Sequence, residues 1–78
     1  MKLGLQVPSY TWPGGPATIG VDLTAIARAA DEAGFECLAL PDHFFQMPEV
    51  QPVEHEMLEA YTTLGFLAAH TERVKLLT

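Results

Sequence analysis

Apolar and polar positions alternate at the start of the chain, with Leu3, Leu5 and Val7 set against Lys2, Gly4 and Gln6. A period of two predicts a short strand over residues 2–7, stopped by Pro8. "PSYTWPGGPATIG" then places three prolines and three glycines within one stretch, too many breakers for regular structure, so a long loop carries Tyr10 and Trp12. From Asp22 the period changes. Leu23, Ile26, Ala27 and Ala30 fall at i, i+3, i+4 and i+7, one apolar stripe of a helix, with Arg28, Asp31 and Glu32 largely off it. Asp22 suits the N-cap and the positive end of the helix dipole, and Gly34 supplies a left-handed stop after Ala33. Phe35 to Leu40 is nearly continuously apolar, broken by Glu36, the pattern of a strand covered on both faces.

"QMPEVQPVEHE" is a second breaker-rich loop, after which helical character runs from about residues 54–56 to about His70. Its clearest stripe is Met57, Tyr61, Leu64 and Ala68, widened by Leu58, Phe66 and Leu67 and slightly weakened by Gly65. "RVKLLT", residues 73–78, reads as a third strand. The order strand, helix, strand, helix, strand has connections suited to parallel crossovers, so the fold class is α/β with parallel strands. Three such strands leave both sheet edges open, which predicts either a small unit that self-associates or the opening portion of a larger fold.

Composition sharpens this picture. With 49% hydrophobic and 18% charged residues the chain is globular, yet 78 residues bury only about 60 to 65 per cent of the unfolded surface. The pattern therefore wants more core than the chain closes alone. Ten acids against four scattered basic residues, Lys2, Arg28, Arg73 and Lys75, give a net charge of −6, which disfavours nucleic acid and anionic membrane as partners. A single cysteine excludes an internal disulfide, no apolar run approaches the length of a membrane span, and no leader pattern opens the chain; cytoplasmic residence is the default expectation.

The most informative stretch is "LALPDHFFQ", residues 38–46, where a buried strand ends in a proline, an acid and an imidazole followed by two phenylalanines. Ordinary turns use Gly, Asn or Ser, so Asp42 and His43 at a strand end are candidates for chemistry. Other chemistries fare less well. "EHE" at residues 54–56 is dense, but Glu54 and Glu56 do not share a helix face and neither HExxH nor CxxC spacing is present, so no metal site is expected. "PGGP" lacks the spacing of a phosphate loop, and its prolines remove donors such a loop would use. Cys37 reads as a small core residue, and His55 and His70 as solvated, with His70 near a helix C-terminus.

Three stretches together carry a family signature: "MKLGLQVPSYTWPGG", "AADEAGFECLALPDHFF" and "MLEAYTTLGFLAAHTERVKLLT". The chain resembles the start of a luciferase-like monooxygenase, in particular the subgroup that uses the deazaflavin coenzyme F420. The resemblance spans residues 1–78 and is most specific at residues 33–44 and 59–76. It implies a (β/α)₈ TIM barrel, a fold of about 250 residues, of which this β-α-β-α-β chain is a single partial domain, the N-terminal third. It also implies hydride transfer between F420 and a small organic substrate, with an FMN-dependent monooxygenase as the alternative. Carried over, Asp42 hydrogen-bonds and orients the ring system, while His43 stabilises charge or moves a proton on the substrate. Thr78, at the third strand's end, joins the cofactor site. Phe44 and Phe45 exclude water, and Trp12 either walls the substrate pocket with Phe44 or anchors its loop. The other reading of a chain this short is a non-catalytic α/β fragment stabilised as a homo-oligomer.

Overall fold

A computed structural model describes residues 2–78. Three short strands, β1 (Gly4–Gln6), β2 (Cys37–Ala39) and β3 (Lys75–Leu77), form a parallel sheet in the order β1-β2-β3. Helix α1 (Ile19–Glu32) connects β1 to β2, and α2 (Ala60–Ala68) connects β2 to β3. The expected element order is therefore present, with each strand shorter than its apolar run. Register aligns Leu5, Leu38 and Leu76 in one row. Leu38 is fully buried and the other two leucines pack against the same core, which also holds Val7, Tyr10, Leu23, Ala27, Leu40, Leu67 and Val74. A period of two turns the flanking rows, Gly4–Cys37–Lys75 and Gln6–Ala39–Leu77, to the opposite face.

That opposite face corrects two expectations. β2 is covered on one face rather than two, because Leu77, Gly4 and Gln6 on its neighbours are exposed. Cys37 is accordingly half-buried instead of a core residue. Gly4 makes room for it: a Cβ there would meet the Cys37 sulfur at 2.8 Å.

α1 begins at Ile19, three residues ahead of the Asp22 cap expected from the pattern. Thr18 holds the N-cap position, and its hydroxyl donates to the Asp22 carboxylate at 2.9 Å, leaving Asp22 as the acid of the first turn. Leu23, Ala27 and Ala30 are buried as the stripe predicts, joined by Ile19. At the far end Gly34 adopts φ 84°, and the amides of Phe35 and Gly34 donate to the carbonyls of Ala30 and Asp31, the crossed bonds of a Schellman stop.

α2 is shorter than expected and turned differently. Its buried residues are Ala60, Thr63 and Leu67, whereas Tyr61 is 69% exposed and Phe66 and Ala68 also face out. The small side chains of Ala60 and Thr63 allow close approach to the core, and the Thr63 hydroxyl is satisfied locally by donating to the Glu59 carbonyl at 2.7 Å. The two aromatics are therefore the residues left outside.

Asp31, read from the pattern as a polar-face residue, is only 7% exposed. Its carboxylate accepts from the amides of Glu72, Arg73 and Val74 at 2.9, 2.8 and 2.8 Å, tying the end of α1 to the segment that enters β3. Those donors, the Arg73 amide foremost, hold its carboxyl below the usual carboxylate range.

Candidate active site

Pairing at the C-terminal edge of the sheet continues one residue past the strands, with the Val7 amide donating to Ala39 and the Leu40 amide to Leu77. Leu40 is buried, and Pro41, lacking an N–H, ends the ladder. Asp42 and His43 follow at once and are exposed. They line a cleft of about 190 Å³ with Phe44, Met57, Leu58, Glu59 and Ala60, between the end of β2 and the start of α2.

Glu59 is the acid that pattern reading overlooked in this cleft. It is the N-cap of α2, accepting from the amides of Thr62 and Tyr61 at 2.8 and 3.2 Å and from the Thr62 hydroxyl. These donors, the Thr62 hydroxyl first, hold its carboxyl below the usual range. A carboxylate so occupied serves the helix end, which leaves Asp42 as the free acid of the cleft. No standard capping signal marks Glu59, since N-cap preference runs to Ser, Thr, Asp and Asn rather than Glu.

A second cleft, about 230 Å³, opens at the end of β1 and is lined by Leu5, Gln6, Val7, Pro8, Ser9, Trp12 and Ile26. Trp12 packs against the core and meets Tyr10 edge-on at 6.2 Å, so it is a loop anchor and a cleft wall at once. Tyr10 is buried, its hydroxyl has no partner among the described residues, and burial pushes the phenol up to about 12. Thr78 is exposed at the end of β3 and lines neither cleft.

Phe44 and Phe45 are 96% and 75% exposed, and Phe44 lines the cleft with Asp42 and His43. Both project from the loop after β2. His55 and His70 are half-buried rather than solvated. The His55 ring pairs with the Gln51 side chain at 3.2 Å; His70 lies 3.3 Å from the Arg28 guanidinium and meets Phe66 with the rings tilted at 58°, centroids 4.8 Å apart. Among the described residues no three His, Cys, Asp or Glu side chains gather as a metal cluster, and no helix is long and apolar enough to cross a membrane. Gln46 also escaped notice as a polar loop residue, yet it is buried and bonded to Pro8.

The family model described as luciferase-like monooxygenase matches residues 1–78. The chain belongs to this family. No curated protein and no solved structure matches it. Members of the luciferase-like family are oxidoreductases that use a flavin or F420.

Proposed function

We propose that Asp42 and His43 are the cofactor-facing pair of an F420-dependent oxidoreductase that passes hydride between the deazaflavin and a small organic substrate. The observation that supports this reading is their position just beyond the C-terminal end of the central strand, beside the apolar Met57 and Leu58. In parallel sheets wound with helices, ligands bind outside the carboxyl ends of the strands. On the same reading β1, β2 and β3 are the first three strands of a (β/α)₈ barrel, and residues 1–78 are one part of that domain.

The residues present fit one edge of a planar ring system. Clefts of about 190 and 230 Å³ lie below the roughly 300 Å³ where small-molecule pockets begin, so they offer an edge and a wall rather than a full enclosure. Asp42 would accept from a ring N–H and orient the ring, and His43 would hold or move the proton on the substrate. Thr78 would reach the cofactor from the end of β3, with Trp12 and Phe44 as substrate walls. The group itself, when bound, supplies two electrons as hydride. FMN asks for the same edge chemistry, and the preference for F420 rests on the resemblance of the Asp42-His43-Phe44 run and of the loop after β1 to that subgroup.

A second reading, self-association, is favoured by the uncovered sheet face around Leu77 and by β1 and β3, each paired on one side only among the described residues. Intact mass and sedimentation, followed by fluorescence titration with F420 and with FMN, separate the readings. F420 binding that weakens about 10-fold in Asp42→Ala, about 1.4 kcal/mol, is the expected result. His43→Ala should keep its affinity and lose turnover about 100-fold in the complete enzyme. Binding of FMN alone transfers the site to a flavin monooxygenase, and a discrete oligomer that binds neither cofactor favours self-association.

A further inference from the structure

The connection between β2 and α2, residues 40–59, contains no helix or strand, and it carries the candidate pair. Most of its middle is exposed; Gln46 is only 2% exposed. Both ends of its amide are used. Nε2 donates to the Pro8 carbonyl at 3.1 Å, and Oε1 accepts from the Met47 amide at 2.8 Å. Pro8 directly follows the paired Val7 and lies in the loop that leaves β1, so one side chain bolts the loop after β2 to the loop after β1. A buried amide with donor and acceptor both satisfied holds one geometry, because any other leaves a polar atom unpaired.

We propose that Gln46 is a positioning residue, clamping the segment Asp42–Phe45 from behind so that the ends of β1 and β2 present a single surface to the cofactor. The inference rests on the reading of Asp42 and His43 given above. It explains how Phe44 and Phe45 stay outward: the residue that follows them is anchored inward. It also explains why the residue is glutamine. Glutamate matches the length and keeps an acceptor for the Met47 amide, but it has no hydrogen to give Pro8 and sets a carboxylate against a carbonyl oxygen.

Gln46→Glu and Gln46→Met preserve side-chain length, so backbone ¹⁵N relaxation of the full chain and of both variants tests the clamp. Order parameters at residues 42–47 should sit near the rigid value of about 0.85 in the parent and fall below about 0.6 in both variants. In Gln46→Glu the Met47 amide should stay the more protected, marking the lost Pro8 bond as the cause. Titration with F420 and FMN should show affinity about 10-fold weaker in both variants. Unchanged order parameters overturn the clamp, and a mobile loop with parental affinity overturns the positioning role. If the parent binds neither cofactor, the reading of Asp42 and His43 fails by itself, and the order parameters still decide whether Gln46 fixes the segment.

Discussion

Asp31 and Asp42 stand near opposite ends of β2 and have opposite fates. Asp31, before the strand, is buried and spends its carboxylate on three backbone amides from a segment distant in the chain. Asp42, after the strand, is exposed beside an imidazole and an apolar wall. A buried carboxylate with three of its roughly four acceptor sites taken by the protein's own backbone has little left for a ligand, whereas an exposed one can change partners. The same residue type thus serves closure at the end where strands begin and is available for chemistry at the end where they finish, the division expected of parallel sheets wound with helices.

The largest effect expected from breaking this contrast is at Asp31. Asp31→Ala leaves three backbone donors without their acceptor, and thermal unfolding followed by circular dichroism should lose its cooperative transition. pH sharpens the point. Because the folded carboxyl is held below its ordinary value, its contribution is complete above about pH 4 and is lost as pH falls through the folded value. Acid titration of Asp31→Asn should therefore show a shallower acid limb than the parent; an unchanged limb would assign acid sensitivity elsewhere, with Glu59, shifted in the same direction, the next group to test.

Tyr10 gives a smaller effect of opposite sign. Its buried hydroxyl has no partner among the described residues, so Tyr10→Phe should stabilise the chain by about 1 kcal/mol in urea melts at pH 7. Its raised value means that stability is intact below pH 10 and is lost as pH rises from 10 toward 12, where the unfolded phenol ionises first. Tyr10→Phe should flatten that alkaline limb, and a destabilised variant would reveal a partner for the hydroxyl. Smallest of all is Asp42→Ala, expected to change stability by no more than about 0.5 kcal/mol. A loss as large as that of Asp31→Ala would erase the distinction between the two acids.

How far pattern reading reached depended on whether the deciding interaction was local. The stripe Leu23, Ala27 and Ala30 and the stop at Gly34 were legible because helix period and left-handed backbone are properties of neighbouring residues. The start of α1 was misplaced at Asp22 because Thr18 and Asp22, one turn apart, both suit a helix start. The buried face of α2 was misread because hydropathy favours Tyr61 and Phe66, while close packing on the core selects Ala60 and Thr63. In the candidate site, Asp42 and His43 are legible from their place after an apolar run; Glu59, inside the predicted helix, and Gln46, in the breaker-rich loop, are not, because their roles depend on where α2 starts and on the distant Pro8.

The order of the elements, the turns between them and the arrival of an acid and an imidazole at a strand end were written in local periodicity and in the placement of proline and glycine. Which polar groups are consumed and which stay free was decided only when the chain folded. Asp31 finds its donors at Glu72, Arg73 and Val74, and Gln46 finds its acceptor at Pro8, partners that no local period can indicate. Hydrophobic pattern is carried by adjacent residues, but satisfaction of a buried polar group depends on which distant backbone the tertiary structure brings within about 3 Å of it.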